Sequence, residues 1–203
     1  MNLPNILTLM RCVLAAIFVV LMSFDNVICY IVAYGVFTAA AITDYYDGKI
    51  AREQNLVTNF GKLLDPVADK ILMVAGFVML MRVPDLYIPG WTVVAILARE
   101  FLITGARSLA ASDGIVLPAN VWGKAKTAIQ MTYVFVVLAL VILLRIVMTV
   151  PALRALAPHD PVIYASVLEY VSLIGIIAVT GYTLYSGVQF TWANWTALKL
   201  HQL

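Results

Sequence analysis

The chain has 203 residues, of which 63% are hydrophobic and only 12% are charged. Because soluble domains contain about 25% charged residues, this composition excludes an ordinary soluble fold and indicates an integral membrane protein. The formal net charge of +2 is small, and no run of basic residues is interleaved with aromatic ones. We therefore expect no nucleic-acid binding.

The predicted elements are, in chain order, a short interfacial helix and six apolar stretches that cross the bilayer as helices. Pro, Gly, Asp and Asn residues mark the turns between them. We expect an all-α integral membrane protein that forms one domain over residues 1–203. The interfacial helix covers residues 1–11, and the six transmembrane helices cover about 12–26, 27–52, 61–82, 86–111, 121–150 and 162–190.

The distribution of Lys and Arg predicts the orientation of these spans, since cytoplasmic loops carry an excess of both. If the N-terminus is cytoplasmic, the outer side holds only Arg82, Arg145 and Arg154. We expect both termini and the functional site to face the cytoplasm of a bacterial inner membrane; a bacterial source is favoured because no transit peptide precedes the first helix. The cytoplasmic basic residues are then Arg11, Lys49, Arg52, Lys62, Lys70, Arg99, Arg107, Lys124, Lys126 and Lys199.

Spans two to five are apolar toward the outer side and polar toward the cytoplasmic side. Charged groups at membrane depth are unfavourable unless they face water or one another. The pattern therefore predicts a polar cavity that opens to the cytoplasm. A cation transporter, the alternative from a different functional class, would place polar groups through the whole membrane, and this chain does not.

Four aspartates at helical spacing lie on neighbouring spans. Asp44 and Asp47 are spaced i, i+3, and Asp65 and Asp69 are spaced i, i+4, so each pair shares one helix face. Four carboxylates in one volume repel each other unless cations neutralise them, and hard oxygen ligands suit Mg²⁺, Mn²⁺ or Ca²⁺. The pattern favours a divalent-metal site over the alternative, ordinary charged helix ends.

The residues around the aspartates suit a phosphate-bearing ligand. Gly48 and Gly61 allow a ligand to approach the helices closely, and Ala51 keeps the same face open. Arg52 supplies a planar guanidinium for phosphate.

This region resembles the signature of the CDP-alcohol phosphotransferases. The resemblance implies a six-helix fold, a homodimer and two metal ions, Mg²⁺ or Mn²⁺, under the nucleotide diphosphate. It implies that the four aspartates surround the metals, that Asp69 is the base on the acceptor hydroxyl, and that Gly48, Ala51, Arg52 and Gly61 line the CDP pocket. We add Asn5 and Thr8 to that pocket. The matching residues are Asp44-x2-Asp47-Gly48-x2-Ala51-Arg52-x8-Gly61-x3-Asp65-x3-Asp69.

Basic residues on spans four and five bear on the second substrate. Arg99 and Arg107 are spaced i, i+8, and Lys124 and Lys126 follow after a short loop. An acceptor with its own phosphate would need such counter-charges. The alternative is that basic residues gather at any cytoplasmic membrane face.

Four segments resemble the bacterial phosphatidylglycerophosphate synthases within the family. The resemblance implies that CDP-diacylglycerol and glycerol 3-phosphate give phosphatidylglycerophosphate and CMP, with serine, inositol or phosphatidylglycerol as alternative acceptors. We assign the acceptor phosphate to Arg107, Lys124 and Lys126, and to Arg99 unless Glu100 or a metal-site aspartate occupies it. The last two spans are interpreted as scaffold. The segments are Asn2-Leu3-Pro4-Asn5-x-Leu7-Thr8-x2-Arg11, Asp65-Pro66-Val67-Ala68-Asp69-Lys70, Arg99-Glu100-Phe101-x-Ile103-Thr104-x2-Arg107 and Gly123-Lys124-x-Lys126-Thr127-x2-Gln130.

Overall fold

The computed structural model describes the backbone of residues 3–54, 59–112, 114–115, 117, 121–156 and 160–195. Side chains are described at 6, 8–43, 70–112, 114–115, 117, 122–123, 125–155, 160 and 162–195. These parts of the chain contain seven α-helices and no strand, which confirms the all-α class there. The helices are α1 (Leu3–Met22), α2 (Val27–Gln54), α3 (Asn59–Leu80), α4 (Gly90–Ser112), α5 (Val121–Thr149), α6 (Pro151–Leu156) and α7 (Pro161–Ala193).

Two helices differ from the predicted elements. The predicted interfacial helix and first span are one uninterrupted helix, α1, because Pro4 lies in the first turn, where no intrahelical N–H bond is required. The short α6 lies in the predicted loop before the last span, with Pro151 at its first position. Both differences arise from prolines that initiate helices.

Side-chain caps define the starts of two long helices. The Asn26 Oδ1 accepts a hydrogen bond from the Ile28 N–H at 2.8 Å at the start of α2. The Asp160 Oδ1 accepts one from the Val162 N–H at 3.1 Å at the start of α7, directly before Pro161. Such caps satisfy amide groups that the first helical turn leaves without carbonyl partners.

The chain divides into two compact units, of which the first comprises Met1–Leu86 and Val134–Glu169. Within it, α1 packs against α2 and α3. Phe37 lies in the core, with its ring centroid 5.1 Å from that of Phe18 and 5.0 Å from that of Phe135. Gly76 allows close packing there, since a Cβ on it would meet Val134 and Phe37 side-chain atoms at 3.2–3.3 Å.

A charged network joins two loops and one helix of the first unit. The Arg145 guanidinium on α5 contacts Asp25, in the loop between α1 and α2, at 3.0 Å. It also donates to Asp85, which follows α3, at 2.6 Å. The Tyr30 hydroxyl donates to Asp25 at 2.9 Å, and its ring lies under the guanidinium at 5.9 Å. Arg145 thus links segments that are distant in sequence.

The second unit comprises Tyr87–Tyr133 and Tyr170–Leu203, which include α4, the start of α5 and most of α7. The buried Tyr133 side chain crosses from α5 to α7, where its hydroxyl donates to the Ser172 carbonyl at 2.9 Å. Gly175 makes room for that ring, because a Cβ on it would lie only 2.8 Å from Tyr133 Cε2. The backbone N–H of Tyr87 donates to the Ser172 hydroxyl at 3.1 Å.

Several described helices are apolar enough to contact lipid. Residues Ala125–Thr149 and Val162–Ala193 have mean hydropathies of 2.6 and 2.1 and are long enough to cross a bilayer. Shorter apolar helices are Thr8–Met22, Val27–Thr43 and Lys70–Leu80. Large apolar side chains along these segments are exposed, for example Leu143, Ile174 and Val188. Large apolar side chains exposed along helices of this length suit contact with lipid.

Candidate active site

The residues predicted to hold metal and the CDP group fall largely outside the described side chains. Asp44, Asp47, Gly48, Ala51 and Arg52 lie in the sequence of α2, and Gly61, Asp65 and Asp69 lie in that of α3. The side chains of all eight, and those of Asn5 and Lys124, are outside the described residues. Among the side chains that are described, no group of three or more His, Cys, Asp and Glu residues could hold a metal ion.

Thr8, the one predicted CDP-pocket residue with a described side chain, lies on the buried face of α1. This face is formed by Thr8, Arg11, Ala15, Phe18 and Met22, which recur at helical spacing and are all buried. The face is apolar toward the end of α1 and polar near its start.

The second unit contains a buried charged cluster, formed by Arg99 and Glu100 of α4, Lys126 of α5 and Ser186 of α7, which we call the Glu100 cluster. Arg99, Glu100 and Lys126 are only 7%, 5% and 8% exposed. The Glu100 Oε1 accepts a hydrogen bond from Lys126 Nζ and one from Arg99 Nη1 at 3.2 Å. Arg99 Nη2 donates to the Ser186 hydroxyl at 3.0 Å.

A hydrogen bond between α5 and α7 lies next to the Glu100 cluster. The Gln130 side-chain N–H donates to the Thr183 hydroxyl at 2.9 Å, and both residues are fully buried. Gln130 follows Lys126 by four residues and Thr183 precedes Ser186 by three, so each pair shares a helix face. The polar face therefore continues along both helices.

Arg107 lies two turns beyond Arg99 on α4, and its guanidinium carbon is 5.0 Å from the centroid of the Phe190 ring. A cation over an aromatic face is stabilised by the ring quadrupole. Arg107 is half-buried. Two of the predicted acceptor-phosphate residues, Arg99 and Lys126, are therefore brought together by Glu100, and Arg107 is held by α7 within the same unit.

Ion pairs buried to this extent are costly to desolvate. In the Glu100 cluster, the carboxylate of Glu100 contacts two cations, Arg99 and Lys126. Such an arrangement suits an anionic ligand, since charge-assisted hydrogen bonds from Arg and Lys are the strong contacts to phosphate.

Of the groups expected to occupy Arg99, Glu100 contacts it in the structure. The contact between Glu100 and Lys126 was not predicted. The last span is interpreted as scaffold, and in the structure Thr183, Ser186 and Phe190 of α7 contact Gln130, Arg99 and Arg107 of the polar face. The sequence feature that could have indicated these contacts is a set of hydroxyl residues at helical spacing in the otherwise apolar α7.

Comparison with known proteins identifies the family. The family model for CDP-alcohol phosphatidyltransferase matches residues 1–158. The chain is 36% identical to the CDP-diacylglycerol–glycerol-3-phosphate 3-phosphatidyltransferase of Bacillus subtilis (strain 168), over 98% of this chain and 97% of the relative. It is 34% identical to the enzyme of that name from Pseudomonas fluorescens, over 98% and 93%. A third protein of that name, from Rickettsia bellii (strain RML369-C), is 43% identical over 64% and 71%.

The family match covers all eight signature residues from Asp44 to Asp69 and both cations of the Glu100 cluster. The two relatives that span nearly the whole chain extend the similarity through α7. The chain therefore belongs to the CDP-alcohol phosphatidyltransferase family.

Proposed function

We propose that this chain transfers a phosphatidyl group from CDP-diacylglycerol to glycerol 3-phosphate, which yields phosphatidylglycerophosphate and CMP. Relatives that share its full length carry the name of this activity. The structural observation that carries the proposal is the buried pairing of Arg99 and Lys126 around Glu100. It places an arginine and a lysine beside each other in a chain whose composition is overwhelmingly apolar.

The acceptor explains why such a cluster is needed. A phosphate monoester carries a charge of about −1.5 to −2 at neutral pH, and serine or inositol has no such group. Arg99 offers a planar fork of N–H donors and Lys126 a compact ammonium. We propose that both bind the acceptor phosphate together with Arg107 and Lys124.

The reaction balances as a single displacement at phosphorus. The acceptor hydroxyl oxygen forms a bond to the phosphorus that carries diacylglycerol. The bond from that phosphorus to the bridging oxygen breaks, and CMP leaves with the oxygen. We propose that the carboxylate of Asp69 takes the hydroxyl proton as attack proceeds.

The proposed metal and CDP-binding site is based on the sequence signature. The family is metal-dependent, and the carboxylates of Asp44, Asp47, Asp65 and Asp69 form the all-oxygen donor set that Mg²⁺ and Mn²⁺ prefer. Two bound ions would neutralise charge on the diphosphate. We propose that Arg52 contacts the same diphosphate, while Gly48, Ala51, Gly61, Asn5 and Thr8 leave room for or line the CDP group.

The protein is a membrane protein by family and by its apolar helices. We further propose six transmembrane helices, with both termini and the active site on the cytoplasmic side of a bacterial inner membrane. The excess of Lys and Arg on that side supports this orientation. A homodimer is proposed from the family resemblance.

The direct test is an acceptor assay. Purified protein in nanodiscs is incubated with CDP-diacylglycerol and Mg²⁺ or Mn²⁺, each acceptor is offered in turn, and CMP release is measured. We expect release with glycerol 3-phosphate and none with serine, inositol or phosphatidylglycerol. No release with any acceptor would overturn the proposed activity, whereas release only with serine or inositol would overturn the acceptor assignment.

A variant of Lys126 distinguishes binding of the acceptor from binding of the donor. Lys126→Met keeps the apolar stem but removes the charge, so the KM for glycerol 3-phosphate should rise far more than that for CDP-diacylglycerol. Arg154→Gln, at an exposed arginine of the first unit, is the matched control. Equal effects of Lys126→Met on both KM values would contradict a role in acceptor binding.

A further inference from the structure

Glu100 is an acidic residue in a cluster that we propose to bind an anion, where a negative charge is not expected. It is 5% exposed, and a carboxylate beside a bound phosphate repels it. The mechanism proposed above gives this residue no task. A buried acidic side chain in such a place is costly unless its contacts offset that repulsion.

The geometry shows what Glu100 does to its neighbours. One carboxylate oxygen, Oε1, accepts from both the Lys126 ammonium and the Arg99 guanidinium. These two cations come from different helices, α5 and α4. Glu100 is thus the common acceptor that brings the two charges to one point.

Arg99 is also held from its other side. Its second terminal nitrogen, Nη2, donates to Ser186 on α7 at 3.0 Å. Its side chain runs against Gly187, where no Cβ occupies the space. The guanidinium is therefore fixed at two of its nitrogens, and the orientation of its fork depends on Glu100.

The positive charges of Arg99 and Lys126 give a second reason for a carboxylate at this position. Two buried cations that share a small volume repel each other. The carboxylate between them offsets that repulsion, so both cations can lie close together before any anion arrives. Removal of its charge would leave that repulsion without this offset.

We propose that Glu100 is a positioning residue for the acceptor site, which holds Lys126 and Arg99 in the arrangement that receives the phosphate of glycerol 3-phosphate. Its contribution to binding exceeds the repulsion that its own charge exerts. This inference rests on the proposed function, because it concerns the same acceptor.

The central experiment is Glu100→Gln, which preserves the size and removes the charge. We expect the KM for glycerol 3-phosphate to rise about 10- to 100-fold, the range given by the loss of hydrogen bonds to a charged group. The KM for CDP-diacylglycerol should change less than about twofold, since we assign the donor to other residues. Glu100→Asp, which keeps the charge on a shorter stem, should restore part of the loss. Glu169→Gln, at an exposed glutamate, is the control.

A double variant distinguishes positioning from general stability. Because Glu100 acts partly through Lys126, the rise in KM of the Glu100→Gln/Lys126→Met double variant should be smaller than the product of the two single rises, whereas independent effects would multiply and contradict positioning. Thermal unfolding is measured for every variant. If Glu100→Gln does not fold, Ser186→Ala tests the same arrangement, because it releases the other end of Arg99 and should raise only the KM for glycerol 3-phosphate.

Three results would overturn the inference: an unchanged KM for glycerol 3-phosphate in Glu100→Gln, a lowered one, or equal rises for both substrates. A lowered KM would mean that Glu100 only weakens anion binding. Failure of the proposed function looks different, since the wild-type protein itself would then release no CMP with glycerol 3-phosphate.

Discussion

Gly187 on α7 faces the side chain of Arg99 so closely that a Cβ at this position would lie 3.0 Å from Arg99 Cγ and 3.1 Å from Nε. The absence of a side chain at residue 187 thus determines where the stem of Arg99 runs. The adjacent Ser186 receives the end of the same side chain. Two neighbouring residues of α7 therefore set both the path and the end point of Arg99.

Gly187→Val should displace the Arg99 side chain and raise the KM for glycerol 3-phosphate about tenfold, which corresponds to the loss of about one charge-assisted hydrogen bond. Steady-state kinetics with each substrate varied in turn provides the measurement. Gly181→Val is the control on the same helix, because a Cβ at Gly181 meets nothing within 4 Å. Similar kinetics for the two valine variants would show that Gly187 does not matter to Arg99.

Gly175→Ala should destabilise the protein by about 1–3 kcal/mol, the usual cost of excess volume in a packed site. The added methyl group would lie 2.8 Å from Tyr133 Cε2, and this ring is held by its hydroxyl bond to Ser172. Thermal unfolding in detergent measures the effect. Adding Tyr133→Leu should remove most of the clash, so a double variant that is less stable than the sum of the single ones would contradict this explanation.

Arg145→Gln should lower the unfolding temperature without changing kcat, because it breaks the network with Asp25 and Asp85, and none of these residues is proposed to bind substrate or metal. We expect a loss of about 1–2 kcal/mol for this half-buried network. Asp85→Asn should cost more than Asp25→Asn, since the Asp85 contact is shorter and the Asp85 side chain is less exposed, 21% against 56%. The reverse order would mean that solvent exposure does not govern these pairs.

Asp69→Asn tests the proposed base. An amide oxygen can still ligate a metal ion but cannot accept the proton, so kcat should fall about 10²- to 10⁴-fold. Binding of CDP-diacylglycerol in the presence of Mn²⁺, measured by equilibrium titration, should stay within a few fold. Asp65→Asn serves for comparison and should weaken that binding. If Asp69→Asn loses donor binding to the same extent, Asp69 acts as a ligand and not as the base.

Much of the fold could be predicted because helices are indicated by short stretches of sequence. Apolar stretches of helical length appear in the structure as long helices, and the resemblance of Asp44–Asp69 to a family signature is confirmed by the family match. The continuity of α1 and the presence of α6 were not predicted. A proline in a sequence usually indicates the end of a helix, although proline is also common in the first turn of one. The number of spans and their orientation stay predictions.

The candidate site was predicted less completely, because spacing along one helix gives no information about contacts between helices. Arg99 and Lys126 could be selected by charge, yet their common partner Glu100 was identifiable only from the way α4 and α5 pack. Ser186 and Thr183 lie more than 50 residues from the side chains that they contact. Their contacts depend on how distant segments of the chain pack together, and no local sequence motif predicts that packing.

The network around Arg145 also imposes an order of events on synthesis. Asp25 and Asp85 leave the ribosome before Arg145, which follows Asp85 by 60 residues. At about 5–20 residues per second, Asp85 emerges about 3–12 s before the arginine that joins the two loops. The loops that contain Asp25 and Asp85 can therefore be joined through Arg145 only after α5 has been synthesised.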